Sequence, residues 1–435
     1  MKIPEILLVE SEHKPGSLAK ILKVIGDSGL VVEHLNMVRR EQDKTIWEIT
    51  LEMDVAGDYE VLRRIDELPN ARILGRSDRV FNRHLGGKIR MVSKLPIATQ
   101  QELRDIYTPG VARVCLAIQK DPELAWKYTN LGSTVAVITN GSAILGLGNI
   151  GSLAGLPVME GKAALFAHLV DITGIPILLD ESDPDRIIDI ICAISQSFGA
   201  IQLEDFGSPE CFAIEEALIK RLNIPVLHDD QHGTAVVTLA ALIRATQKAN
   251  RDLNDCVVGQ VGLGAAGIGI GRLLKGYGVR MLIGSDKNEQ ALKRLESIGG
   301  RPVSLEVMMR EADIVIATTG VPNLIKPEMI KPGQFILALG NPDPEIQPLL
   351  ALRSGAAFAA DGGSVNNLLG FPGLFRGALD ARASRFTDEM MLAAARKLAE
   401  LASGDELVPS ALDRQVHAQV AAAVYEAAIN GRYSS

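Results

Sequence analysis

The sequence predicts an α/β protein built in three parts, and three observations carry that prediction. The first 80 residues set apolar runs in the order β-α-β-β-α-β. From about residue 99, short apolar runs alternate with helical periods. From about 256 a second such series opens on a glycine-rich turn. The composition agrees: 47% hydrophobic, 23% charged, 4% aromatic and 41 glycines suit many tight strand-to-helix turns. A chain of 435 residues has room for two or three domains, and the boundaries fall at 1–80, 81–225 and 226–435.

In the first part, residues 3–9 (IPEILLV) read as a strand. Lys14-Pro15-Gly16-Ser17 makes a turn, and Leu18, Ile21, Leu22 and Ile25 follow at helical spacing until Gly26 and Gly29 stop the helix. Residues 30–38 and 45–53 read as a hairpin around the polar turn Arg39 to Lys44. A helix near 58–68 and a strand near 71–75 complete a ferredoxin-like order. The run KPGSLAKIL after the first strand resembles an ACT domain. That resemblance implies a small effector, such as an amino acid, bound between copies; a purely structural add-on is the alternative.

Residues 76–98 read as a linker with a leading strand. Strands then follow at Val135–Thr139, Ile175–Leu179, Ala200–Leu203 and Ile224–His228. The second series gives Cys256–Val261, Arg280–Ile283, Ile314–Thr318, Phe335–Leu339 and Ala357–Ala360. After Thr387 the chain is Ala-rich and helical, broken at Pro409.

A net charge of −8 with no Lys/Arg run argues against a nucleic-acid partner. Cys115, Cys192, Cys211 and Cys256 lie far apart with no C-x-x-C pair, which argues against disulfides and zinc and fits a cytoplasmic protein. No signal peptide and no uncharged stretch of membrane-crossing length is expected.

Strand 256–261 runs into Gly262-Leu263-Gly264-Ala265-Ala266-Gly267, a G-x-G-x-x-G between strand and helix. Gly262 permits the tight turn, Gly264 lets the backbone approach a pyrophosphate, and Gly267 allows close helix packing. The helix opening at Ala265 and Ala266 offers its N–H groups to the phosphates. Asp286 ends the next strand, 22 positions after Gly264, where a carboxylate holds a ribose hydroxyl. The pattern predicts a Rossmann-type domain binding NAD. Asp286 disfavours NADP, although the adjacent Lys287 argues the other way.

Glu204-Asp205 and Asp229-Asp230 each follow a short apolar strand, so they end up where α/β proteins bind ligands. Clustered carboxylates stay ionised only beside a cation, and an all-oxygen set suits Mg²⁺ or Mn²⁺. From the pattern alone, ordinary helix caps and surface charges are the open alternative.

Four segments, IYTPGVA, GLGNIG with PVMEGK, EDFG with HDDQHGTA, and SVNNLLGFPG, resemble the malic enzyme family in its short bacterial form, from about residue 85 onward. The resemblance implies metal-dependent oxidation and decarboxylation of malate to pyruvate. It makes Lys162 the base that takes the substrate hydroxyl proton, which requires a lowered lysine pKa. Tyr107 becomes the acid that protonates the enol. Glu204, Asp205 and Asp230 become the metal ligands, with Asp229 orienting the site. Asn341, Asn366 and Asn367 would hold the substrate carboxylate and nicotinamide region, and Gly148 and Asn149 would approach the ligand. His228 and His232, though spaced i,i+4, read as parts of a turn rather than ligands.

Two departures stand out. Ala143 occupies the position where larger family members carry a carboxylate-clamping arginine, and the segment before Val365-Asn366-Asn367 is short. The family and the ACT-like unit both imply a homo-oligomer, a dimer or larger. Three alternatives stay open. A metal-independent amino-acid dehydrogenase would resist EDTA, a non-catalytic sensor would bind without turnover, and a malolactic-type enzyme would release lactate without net NADH.

Overall fold

The computed structural model describes residues 2–41, 43–54, 60–76, 79–144, 146–341, 343–365 and 367–433. The chain divides into two compact units, Met1–Lys88 and Ile89–Ser435.

The first unit runs β1 (Lys2–Glu12), α1 (Ser17–Asp27), β2 (Val32–Arg40), β3 (Lys44–Asp54), α2 (Glu60–Asp66), β4 (Ala71–Arg76) and α3 (Arg79–His84). Its sheet has the order β2-β3-β1-β4, with every pair antiparallel. Ile21 and Ile25 of α1, and Val61 and Ile65 of α2, sit one helical turn apart. They face Leu7, Val9, Ile49 and Leu51 of the strands in one core. Gly16 enters α1 at φ 81°, a left-handed conformation that accounts for the glycine in the Lys14-Pro15-Gly16 turn.

The leading strand expected within 76–98 is not formed: among the described residues, α3 and irregular chain occupy this stretch. Phe81, Leu85, Met91 and Val92 remain exposed. An apolar run without a hydrogen-bonding neighbour does not hold strand geometry.

The second unit opens with α4 (Gln100–Ile106), α5 (Val111–Lys120) and α6 (Leu124–Tyr128), none of which buries a residue fully. There follow β5 (Thr134–Thr139), α7 (Ser152–Val170), β6 (Thr173–Leu178), α8 (Pro184–Ile194), β7 (Ala200–Leu203), α9 (Glu210–Arg221) and β8 (Val226–His228). Their strands form a parallel sheet ordered β6-β5-β7-β8. Every residue of β5, β7 and β8 is buried, as the continuous apolar runs require of strands covered on both faces. Helix α7 has the length and hydropathy of a membrane span, though it is not an uncharged stretch. It carries Glu160 and Lys162, and its Met159 and Phe166 lie in the core, so it is read as a core helix.

Helix α10 (Asp229–Lys248) leads to β9 (Val257–Val261), α11 (Ala265–Tyr277), β10 (Met281–Ser285), α12 (Glu289–Ser297), β11 (Arg301–Pro302), α13 (Leu305–Glu311) and β12 (Ile314–Ala317). Then come β13 (Phe335–Ala338), α14 (Pro348–Arg353), β14 (Phe358–Asp361), α15 (Phe371–Asp380), α16 (Asp388–Leu401) and α17 (Arg414–Tyr433). This second sheet is parallel, ordered β11-β10-β9-β12-β13-β14. That is the doubly wound Rossmann order, and the strand order reverses between β9 and β12, where such sheets bind dinucleotides. Val236, Leu239 and Ala240 of α10 share one core with Val135 and Val137 of the first sheet and Val258 and Ile314 of the second. The helix that begins with Asp229 and Asp230 is thereby fixed against both sheets.

Candidate active site

The site is built at the C-terminal ends of β7 and β8. Each strand is a short buried apolar run, and each ends directly in acids: Glu204-Asp205 after β7, Asp229-Asp230 at the start of α10. Carboxylate oxygens of Glu204, Asp205 and Asp230 come within 4.8 Å of one another. Asp205 holds a left-handed backbone, φ 55°, rare for a residue with a side chain. Its N–H donates to Asp230 Oδ2 at 3.0 Å, and its carbonyl accepts from Ala143 N–H at 3.0 Å. The chain segments after β5, β7 and β8 are thus tied together through one residue.

Lys162, midway along α7, reaches the same acids. Its Nζ donates to Asp229 Oδ2 at 2.5 Å, lies 3.0 Å from Glu204 Oε1, and sits 4.4 Å from the centre of the Phe371 ring. Gln202 donates to the other Glu204 oxygen at 2.5 Å, and Asn367 donates to Asp229 Oδ2 at 3.3 Å. Glu204 therefore belongs both to the lysine and to the three-carboxylate group.

Burial works to lower the Lys162 pKa, but Asp229 and Glu204 outweigh it and hold the ammonium far above the ordinary lysine range. This corrects the expectation of a lowered pKa: two contacting carboxylates keep the base charged. Burial raises Glu204, against the pull of Lys162 and reinforced by Asp229 and Asp230. Burial likewise raises Asp229, while burial of Asp230 is outweighed by His228, which holds it low. Four acids face one lysine and one histidine here, an excess of negative charge that a divalent cation would balance. The all-oxygen donors of Glu204, Asp205 and Asp230 fit Mg²⁺ or Mn²⁺.

The glycine turn stands as expected between β9 and α11. Gly262 is left-handed at φ 81°, and a Cβ there would lie 2.9 Å from the Thr318 carbonyl oxygen. A Cβ on Gly267 would collide with the Gly262 carbonyl, whereas one on Gly264 would meet nothing within 4 Å, leaving its face open for a phosphate. Gly262, Gly264, Asp286, Lys287, Thr318 and Thr319 line a cavity of about 920 Å³. Ala265 and Ala266 form the first turn of α11. Asp286 accepts from Leu263 N–H at 2.7 Å and Asn288 N–H at 2.8 Å, so the carboxylate that would hold a ribose also fixes the glycine turn.

Other expected residues stand apart. Tyr107 ends α4 with 68% of its surface exposed, and none of the contacts around Lys162 involves it. Gly148 and Asn149 are exposed on the loop before α7, and Asn341 is exposed after β13. Asn366 lies outside the described residues. His228 and His232 are not in the three-carboxylate group: His232 Nε2 turns to Glu215 of α9, which also accepts from the His228 backbone N–H, while the His228 ring lies 3.1 Å from Asp230 Oδ2.

Three contributors escaped the sequence reading. Buried Glu345 accepts from Thr319 N–H at 2.6 Å, Gly320 N–H at 3.1 Å and Gly340 N–H at 3.0 Å. It clamps the loops after β12 and β13 beside the cavity. Gly233 leaves room for Asp229, since a Cβ there would run into Asp229 Oδ1. Glu215 was legible in principle: Cys211, Ile214, Glu215 and Leu218 share the buried face of α9 at i, i+3, i+4, i+7.

Comparison with known proteins gives two family matches: the malic enzyme N-terminal domain over residues 86–219, and the malic enzyme NAD binding domain over 330–429. NAD-dependent malic enzyme 1 of Bacillus subtilis is 52% identical over 97% of both chains. The chain belongs to the malic enzyme family. The NAD-dependent malic enzyme of Geobacillus stearothermophilus is 40% identical over 95% of this chain and 91% of its own. The crystal structure of the Thermotoga maritima NAD-dependent malic enzyme superimposes with a TM-score of 0.76 at 39% identity. That match covers 80% of this chain and 99% of the other. Lys162, Glu204 and Asp205 fall in the first matched malic enzyme domain, Asn341 and Asn367 in the second. Asp229, Asp230 and the glycine turn lie between the two.

Proposed function

We infer that this chain oxidises and decarboxylates malate to pyruvate and CO₂, with NAD as hydride acceptor and Mg²⁺ or Mn²⁺ at Glu204, Asp205 and Asp230. The observation that carries the reading is Glu204, a buried carboxylate shared between Lys162 and the three-carboxylate group. The printed names of the relatives at 52% and 40% identity support both the reaction and NAD.

When bound, the cation supplies Lewis acidity toward the substrate oxygens, and the nicotinamide supplies the hydride acceptor. This chain's residues do the rest. Lys162 takes the hydroxyl proton once the charge of Glu204 is engaged elsewhere. Asp229, fixed by Asn367, holds the lysine in place and receives its hydrogen bond. Tyr107 delivers a proton to C3 after CO₂ leaves, and Asn341, Asn366, Asn367, Gly148 and Asn149 contact the substrate and nicotinamide end. Asp286 holds the adenosine ribose and disfavours a 2′-phosphate.

Residues 81–225 act as the substrate part and 226–435 as the dinucleotide part. Residues 1–80 form an ACT-type unit that takes a small effector such as an amino acid. Its β-α-β-β-α-β order and antiparallel β2-β3-β1-β4 sheet support this. The chain self-associates; Leu103, Leu116 and Tyr128, exposed on helices with no fully buried residue, and exposed Tyr107 just after α4 support an interface at α4 to α6. Four free cysteines support a reducing, cytoplasmic setting.

The test is absorbance at 340 nm with purified protein, L-malate, Mn²⁺ and NAD or NADP, with and without EDTA. Metal-dependent NADH formation with stoichiometric pyruvate is expected, with kcat/KM higher for NAD. Lactate without net NADH would replace the reading by a malolactic one, and EDTA-resistant turnover would overturn the metal assignment.

A further inference from the structure

Strand β9 runs Val257-Val258-Gly259-Gln260-Val261, and its one polar side chain is fully buried. Gln260 Nε2 donates to Thr318 Oγ1 at 2.9 Å and to the Gly262 carbonyl at 3.1 Å, with the Val261 carbonyl at 3.2 Å. Two of these three groups are carbonyls, which only accept, so the end of the amide that faces them is the NH₂. The other end, Oε1, has no hydrogen-bond partner among the described residues.

Two successive peptide planes lead into the glycine turn, and each is held at both ends. In the first, the Val261 carbonyl accepts from Thr318 N–H at 2.9 Å and Gly262 N–H donates to the Ser285 carbonyl at 3.0 Å, so backbone from either side holds it. The second lies past the end of the strand and is held by side chains. Gln260 Nε2 and Thr318 Oγ1, the latter at 3.2 Å, share the Gly262 carbonyl, and Asp286 Oδ2 accepts from Leu263 N–H at 2.7 Å. Gly264 follows directly, on the wall of the cavity. The same amide lies under Gly267, where a Cβ would come within 3.2 Å of Nε2.

A count of partners separates this arrangement from a stabilising one. Without the Gln260 amide, the Val261 carbonyl keeps Thr318 N–H and the Gly262 carbonyl keeps the Thr318 hydroxyl, so no backbone group there is stranded. What disappears is a buried amide with one end unpaired, which burdens the folded state. Gln334 is the contrast. It too is fully buried, but it donates to the Met309 and Ala312 carbonyls at 3.0 and 2.8 Å and accepts from Lys331 N–H at 3.2 Å, so both ends are used.

We propose that Gln260 is a positioning residue for the dinucleotide: with Thr318 it fixes the Gly262 carbonyl, and with it the peptide plane that sets the course of Gly264 beside the pyrophosphate. This rests on the reading of the cavity as the NAD site.

Gln260→Met keeps the length and removes the amide. Thr318→Val removes the hydroxyl, keeps the shape, and carries the test if Gln260→Met fails to fold. Gln334→Met is the control. Each full-length protein is titrated with NADH by fluorescence, with ADP-ribose and adenosine as competitors, and its thermal midpoint is measured without ligand. In Gln260→Met, the dissociation constants of NADH and ADP-ribose, which carry a pyrophosphate, should rise about 3–10-fold, the worth of a net hydrogen bond. Adenosine, which carries none, should bind as to the parent, and the midpoint should stand at or above the parent's. Thr318→Val should divide the ligands in the same way. Gln334→Met should lower the midpoint and leave all three affinities unchanged. Parent-like affinity for NADH and ADP-ribose in both Gln260→Met and Thr318→Val, or an equal loss for adenosine, overturns the proposal while the dinucleotide site stands. The same selective loss in Gln334→Met also overturns it, since any buried amide would then serve. A parent that binds neither NADH nor ADP-ribose overturns both readings.

Discussion

At Lys162 a single ammonium balances two buried carboxylates, so its removal acts on charge as well as on proton transfer. Lys162→Ala should lower kcat by about 10²–10⁴-fold, the range for loss of a general base. NADH affinity, read by fluorescence titration, should stay near the parent value. Lys162→Arg should not rescue turnover, because a guanidinium does not give up its proton at working pH; wild-type turnover in either variant would remove Lys162 from the mechanism. Gly233 depends on the same geometry. A methyl there runs into Asp229 Oδ1 and displaces the carboxylate whose other oxygen, Oδ2, accepts from Lys162 and Asn367. Gly233→Ala should cost about 1–3 kcal/mol in denaturant unfolding and at least tenfold in kcat; parent-like values for both would show that Asp229 has room to move. The acids themselves were legible because each pair directly follows an apolar strand. The environment of Lys162 was not, since it depends on two acids 42 and 67 positions away in the sequence.

Strands buried on both faces announce themselves as unbroken apolar runs, which is why β5, β7, β12 and β13 lie within a residue or so of their expected places. The stretch 76–98 has apolar residues too, but a strand is a relation between two segments, and one segment cannot show it. Loops are the other blind spot. The turns after β12 and β13 carry few distinctive side chains, yet both hang on Glu345, which accepts three backbone N–H groups and the Thr319 hydroxyl at 2.8 Å. A glutamine offers a single accepting oxygen in place of two, so Glu345→Gln leaves at least one buried N–H without a partner. The expected cost is about 1–3 kcal/mol, measured by denaturant unfolding. Because Thr319 lines the glycine-turn cavity, KM for NAD should rise several-fold while KM for malate changes little. Equal rises in both would mean that the clamp serves the whole site rather than the cofactor side.

At the scale of the whole molecule, the two units differ in what they need from each other. The first has its own core of strand and helix side chains, including Leu7, Ile21, Ile49 and Ile65. That cluster is separate from the cores that hold Lys162's helix and both parallel sheets. Among the described residues, those joined to Lys162 by a hydrogen bond, ion pair or ring contact lie beyond residue 88. Domains with separate cores commonly fold alone. A protein comprising residues 89–435 should therefore fold and turn over malate with kcat and KM within a few-fold of the full chain. Calorimetry of the full chain should show a transition that the shorter protein lacks. If the first unit is an effector-binding ACT unit, an amino acid that alters turnover of the full chain should leave the shorter protein unchanged. An effector that still acts on 89–435 would put its site in the catalytic unit. Lost turnover in a folded 89–435 protein would instead give the first unit a part in the reaction.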